Sequence, residues 1–209
     1  MGSGDSCSPT VNEDRPLRGP DERFTTADTP TVLHSTSFGD AELDAWTVIS
    51  GTWEESLGSL AQIETCDFDA TALLDAHAVR DFRWEATFTG DSSPQGGLLI
   101  NQQSEETRSG ASLIDVSDDG SIVRWGSYDE RGYYTYVGAE AISPTPSGEA
   151  LTLSVEVHGA EVEISVNDTV IGGFTTQFAG GQVGLVATQS AVSFSSATLT
   201  VLPTSGGAS

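Results

Sequence analysis

The sequence predicts an all-β sandwich of two antiparallel sheets, and three observations carry that prediction. Short runs alternate apolar and polar residues with period two, the pattern of an extended chain with one face on a core. Turn-forming clusters, among them Ser117-Asp118-Asp119-Gly120, His158-Gly159-Ala160 and Asn167-Asp168, separate those runs. Helical periodicity is nearly absent: only Ala70 to Val79 invites it, and the strand pattern around that stretch overrides it. More than ten short strands without helices are best buried as two sheets packed face to face.

The elements follow in order. Residues 1–35 read as an acidic, Pro/Ser/Thr-rich flexible tail or linker, with Pro9, Pro16, Pro20 and Pro30 spaced through it. The sandwich is expected over 36–202. Its first strands fall at 46–49, 59–64 and 71–75. Phe82, Trp84, Ala86 and Phe88 then alternate with Arg83, Glu85 and Thr87. Further strands are expected at 97–102, 111–116, 121–126 and 133–137. Leu151, Leu153, Val155 and Val157 give another, and Val162, Ile164 and Val166 the next. The final strands lie at 182–188 and 191–201. In the last one the phase slips, because Val192 and Phe194 fall on one count and Ala197, Leu199 and Val201 on the other. A β-bulge near Ser195-Ser196 reconciles the halves. Residues 203–209 read as a Gly/Ser-rich terminal tail. No repeat with a period of roughly 20 to 50 residues is visible, which excludes a solenoid or propeller.

Charge narrows the partners. The chain of 209 residues carries 31 acids and 8 basic residues, every one of them Arg, for a net charge of -23. That field repels phosphates and anionic lipid headgroups, so nucleic acid and membrane insertion are not expected. No stretch approaches the ~20 apolar residues that cross a bilayer, and no charged-then-apolar leader opens the chain. The regular apolar runs after Phe38 distinguish the chain from acidic disorder. The expectation is a monomeric folded domain kept soluble by its charge, suited to a salt-rich habitat where screening relieves self-repulsion. Cys7 and Cys66 form no CxxC and no zinc spacing; a disulfide and two unrelated thiols both remain open readings.

Carbohydrate sites need an aromatic face for the C–H surface of a sugar and planar polar groups for its hydroxyls. The run from Trp125 to Tyr136 contains all four tyrosines of the chain, Tyr128, Tyr133, Tyr134 and Tyr136. Trp125, Tyr128 and Tyr133 are the candidate stacking residues, and Arg124 and Arg131 the candidate hydrogen-bonding groups beside them. The competing reading is a hairpin whose rings cover core edges; alternation puts Tyr134 and Tyr136 on one face and Tyr133 on the other. A second polar cluster follows a buried strand and supplies Asn101, Gln103 and Arg108 as candidates, against the plain alternative of a solvated loop. Trp46, Trp53 and Trp84 belong to strands and are assigned to the core. His34, His77 and His158 are scattered, with no neighbour at ligand or triad spacing.

Asp115-x-Ser117-x-Asp119-Gly120 imitates the opening of a calcium loop, but Gly126 stands where the closing acid belongs. A β-turn is the better reading, with Asp115 and Asp119 as weak metal candidates. No G-x-S-x-G elbow and no P-loop is present.

One set of landmarks reaches further. Residues 46–62 read as Trp46…Gly51-Thr52-Trp53…Gly58-x-Leu60-x-Gln62. Ala72-Leu73-Leu74, Asp81 to Ala86 and Gly96 to Ile100 follow, and later come Leu153 to Val157, Ile164 to Asp168, Gly181 to Ala187 and Val192 to Phe194. This succession resembles the concanavalin A-like lectin/glucanase superfamily over about residues 36–202. Within it the chain is similar to the fructan-binding family 66 carbohydrate-binding modules of family 32 glycoside hydrolases, and to keto-disaccharide hydrolase-like domains. The resemblance implies a concanavalin A-like jelly-roll sandwich, secreted or displayed at the cell surface. It also implies a polysaccharide or oligosaccharide partner and, as the one cofactor, a structural calcium held by other loops. The E-x-D-x-x-E strand of family 16 glucanases and the Trp-Met-Asn-Asp-Pro-Asn box of family 32 hydrolases are absent. The functional expectation is a non-catalytic carbohydrate-binding module, accessory to a polysaccharide-degrading enzyme. The alternatives are an enzyme of the same fold and a surface adhesion domain.

Overall fold

The computed structural model describes residues 24–39, 43–56, 58–65, 69–75, 78–90, 95–103, 108–117 and 120–204. Cys7, Cys66, His77 and Asp119 lie outside the described residues, and so does any pairing or metal role expected of them.

The first strands are β1 (Thr31–Thr36), β2 (Trp46–Val48), β3 (Trp53–Ser56), β4 (Ser59–Gln62) and β5 (Ala70–Leu74). The middle of the chain forms β6 (Phe82–Gly90), β7 (Gly96–Gln102), β8 (Ser112–Val116), β9 (Ile122–Tyr128) and β10 (Tyr134–Ala141). The rest forms β11 (Leu151–His158), β12 (Glu161–Val166), β13 (Thr169–Thr175), β14 (Gln182–Ala187) and β15 (Val192–Val201). One eight-stranded sheet runs β13-β12-β11-β6-β15-β4-β3, with β1 also paired to β15; a seven-stranded sheet runs β10-β9-β8-β7-β14-β5-β2. Neighbours pair antiparallel, as the alternating pattern requires.

The inner faces carry the expected residues. Phe82, Trp84, Ala86 and Phe88 from β6, Leu153 and Val155 from β11, and Leu98, Ile100, Ile114, Val123 and Leu185 opposite them form one buried cluster. Trp46, Trp53 and Trp84 are all in it. Trp84 also spans the sandwich, donating its indole N–H to the carbonyl of Gly184 at 3.0 Å. The phase slip in β15 is a bulge between Phe194 and Ser196 against β6.

Three expectations change. The tail ends earlier than residue 35: Thr31–Thr36 pair with Ala197–Val201, while Thr25 bridges Val79 and Ala27 bridges Pro203. Exposed Val32 and Leu33 blur the alternation there, because β1 is held by backbone pairing rather than by an apolar face. Strands β3 and β13 were not anticipated. Glu54-Glu55 and Gly172-Gly173 interrupt any apolar period, and both segments are sheet edges that need to bury little. The 133–137 strand starts at Tyr134 and runs to Ala141.

Candidate functional site

A second, smaller apolar cluster lies outside the sandwich core and joins Leu73, Leu99, Ala111, Leu113, Tyr128 and Val186. These residues alternate with the core residues of the same strands, so they stand on the outer face of the seven-stranded sheet. Register lays out that face in rows. Arg124 pairs with Asp115, Asp115 with Gly97, Gly97 with Val186 and Val186 with Thr71. In the next row Tyr136 opposes Gly126, Gly126 opposes Leu113 and Leu113 opposes Leu99. Tyr134 opposes Tyr128 at the end of the β9–β10 hairpin.

Tyr134 folds down over this face. A Cβ on Gly126 would lie 2.4 Å from the Tyr134 ring, so only glycine at 126 admits the ring. Its centroid is 5.2 Å from that of Tyr128. Burial, then Asp115 and Asp69, push the Tyr134 phenol up to about 12, against a smaller opposing pull from Arg124. Tyr136 shares the face and is 59% exposed. Beside the rings, Arg124 clasps Asp115 through Nε at 3.2 Å and Nη2 at 2.6 Å. The Asp115 side chain is only 5% exposed whereas that of Arg124 is 38% exposed.

A polar centre adjoins the far side of Tyr128. Its hydroxyl donates to Asp69 Oδ2 at 2.6 Å, and the Thr188 hydroxyl donates to Asp69 Oδ1 at 2.8 Å. Arg108 reaches over from the loop after β7. Its Nη2 bonds the main-chain carbonyl of Asp69, the Ser50 hydroxyl at 3.3 Å and the Thr71 hydroxyl at 3.4 Å. Its Cζ lies 6.0 Å from the Tyr128 ring centroid. Asp69 (φ 56°), Arg108 (φ 47°) and Gln189 (φ 49°) are all non-glycine residues in the left-handed region, a strain that the surrounding bonds must hold. Burial, then Asp69, drive the Tyr128 phenol well above its ordinary range.

The expected site residues therefore divide. Tyr128 and Arg108 meet, and Arg124 stands on the same outer face with Asp115. Tyr133, 69% exposed, and Arg131 sit in the β9–β10 turn, where their backbone N–H groups both donate to Asp129 Oδ1. Trp125 is a correction to the expected stacking role: it lies on the inner face, 7% exposed, stacked on Phe174 and packed against Gly138 and Gly172. Asn101 is a correction too, and exposed Gln103 is engaged beside it. Asn101 is fully buried with its Nδ2 on Thr176, and Gln103 Nε2 ties the carbonyls of Asn101 and Gly180 together. Their amides brace the end of β7 rather than approach the aromatics. As a metal candidate, Asp115 instead has both oxygens on Arg124, and the described residues contain no metal-holding group of three or more His, Cys, Asp or Glu.

Sequence reasoning missed Asp69 and Thr188. No period marks either residue; the one signal available was an acid directly before the fully buried strand β5.

No family model matches the sequence, and no curated protein matches it. Solved structures do. The chain is similar to the carbohydrate-binding module CBM66 from Bacillus subtilis, with a TM-score of 0.62 and 19% identity over 82% of this chain and 96% of that one. A Bacillus subtilis protein of unknown function with a galectin-like fold gives 0.61 and 11% over 82% and 97%. A putative glycosyl hydrolase from Parabacteroides distasonis gives 0.57 and 13% over 77% and 89%. At these identities the likeness is one of fold, and it is to the concanavalin A-like jelly roll, CBM66 included.

Proposed function

We propose that this domain binds carbohydrate without cleaving it, on the outer face of the seven-stranded sheet. The observation that carries the reading is the pairing of half-exposed rings, Tyr134 and Tyr136, with the Arg124–Asp115 fork on the same face. Rings of this kind stack on sugar C–H surfaces, and a fork fixed by a buried carboxylate offers directed donors to hydroxyls. Two of the similar structures support a sugar ligand: one is a carbohydrate-binding module and another the carbohydrate recognition domain of Emp46p. The non-catalytic part rests on the missing catalytic boxes and on the engagement of two described carboxylates of the face. Asp69 accepts from two hydroxyls and Asp115 is clasped by Arg124. A secreted, monomeric accessory to a polysaccharide-degrading enzyme is the setting that suits such a module.

A glycan array, run with and without calcium and at high salt, tests the reading. Tyr134→Ala and Tyr136→Ala are expected to weaken the strongest signals about fivefold or more while the fold survives, since a stacked ring is worth on the order of 1 kcal/mol or more. Unchanged binding by both folded variants sinks the assignment to this face. Sugar release from levan, inulin, xylan or laminarin that one carboxylate substitution abolishes would make the domain an enzyme.

A further inference from the structure

Proton direction around Asp69 constrains what a ligand can offer. An ionised carboxylate only accepts hydrogen bonds, and its two oxygens provide about four lone-pair sites. Two are filled, one by the Tyr128 hydroxyl and one by the Thr188 hydroxyl. Each hydroxyl has a single proton, and each proton is committed to Asp69. What Tyr128 Oη and Thr188 Oγ1 have left to present is lone pairs. Four oxygens on three side chains thus become a set of acceptors, with no donor among them.

Arg108 brings a cation beside this centre, but its Nη2 bonds run to the Asp69 carbonyl, Ser50 and Thr71, where they hold the Asp69 backbone in its left-handed turn, and its Nε is buried. The phenol of Tyr128 keeps its proton, because burial first and Asp69 second raise its pKa far beyond neutral. Asp69, Thr188 and Arg108 are half-buried, and Tyr128, which is buried, reaches them from the Tyr128–Tyr134 ring pair.

We propose that Asp69, Thr188 and Tyr128 form a hydroxyl-reading subsite that accepts hydrogen bonds from a sugar and selects neutral glycans over uronate-containing or sulfated ones; this deepens the carbohydrate reading above and rests on it. A sugar hydroxyl can donate to any of the four oxygens. A carboxylate or sulfate has no proton to give. It would face lone pairs and a like charge, inside the field of a chain whose net charge is -23.

An array holding neutral, uronate-containing and sulfated glycans reads the selectivity, and calorimetry with the strongest neutral binder reads the residues. Wild-type signal is expected on neutral glycans, with matched acidic glycans weaker by at least tenfold. Thr188→Val, which keeps the shape of the side chain, and Tyr128→Phe are each expected to lose about tenfold in affinity with melting temperature checked alongside. Asp69→Asn replaces one acceptor by a donor and removes the charge, so it weakens neutral binding and narrows the gap to acidic glycans. Acidic glycans bound as tightly as neutral ones overturn the subsite while leaving carbohydrate binding intact. So do folded Thr188→Val and Tyr128→Phe proteins with wild-type affinity. A wild-type domain that binds no glycan overturns the carbohydrate reading itself, and the subsite with it.

Discussion

Trp125 stacks on Phe174 across the sandwich, centroids 6.4 Å apart and planes 18° from parallel, so a ring of β9 closes the gap to the opposite sheet at its β13 edge. Glycines on both edge strands make room for it. A Cβ on Gly138 would lie 3.0 Å from the indole, and one on Gly172 would lie 3.1 Å from it. Trp125→Ala is therefore expected to cost about 3 kcal/mol or more of stability, the usual penalty for a large buried ring. Urea titration measures it. A folded Trp125→Ala protein of wild-type stability would contradict the core assignment.

The Asp115–Arg124 fork is unequal. The carboxylate is buried and the guanidinium is not, so removing each partner has a different consequence. Arg124→Ala takes the clasp from a buried carboxylate and is expected to cost about 3 kcal/mol, whereas Asp115→Ala leaves an arginine that can turn to water and costs less. A double-mutant cycle on chemical denaturation tests the asymmetry; equal losses, or a larger one for Asp115→Ala, would refute it.

Alkali should loosen the outer face. The Tyr134 phenol is raised to about 12 in the folded chain, from an ordinary value near 10. Between those values the unfolded chain releases a proton that the folded chain retains. The contribution is therefore whole below the unfolded pKa, and it declines as pH rises through the folded one. Tyr128 adds in the same direction. Thermal melts from pH 9 upward should show this fall, and Tyr134→Phe should flatten part of it, with phenolate absorbance as the direct readout.

Salt is expected to stabilise the fold. With 31 acids against 8 arginines, screening removes more repulsion than attraction. A rise in melting temperature of about 3 °C or more from low to molar sodium chloride, what ~1 kcal/mol yields in a domain of this size, would bear out the adaptation. An unmoved melting temperature would count against it.

Period two made the sandwich legible. Wherever one face of a strand is buried and the other wet, as in β6, β11 and β12, the alternation survives in the sequence. It fails where both faces are covered, as along β7 and β8, whose residues are all buried. There, apolar continuity marks the strand but not its outward side. The same parity would have sorted Trp125 from its neighbours, since Arg124, Gly126 and Tyr128 share the face opposite to it. Composition drew attention to the aromatic density instead. Asp69 and Thr188 stand 119 residues apart in the chain, and their meeting with Tyr128 depends on a sheet order that local pattern does not encode.

Strand β15 serves two neighbours along one edge: Val192–Phe194 pair with β4, and Ala197–Val201 pair with β1, on either side of the bulge. Its other edge pairs with β6 throughout. The first described strand is thus anchored by the last. During synthesis, β1, β4 and β6 all wait for a strand that leaves the ribosome after every other described one. Such long-range closure slows folding and prolongs the life of bare sheet edges. A chain cut at Ala191 should fail to fold cooperatively, because the strand that ties β1, β4 and β6 together is then missing.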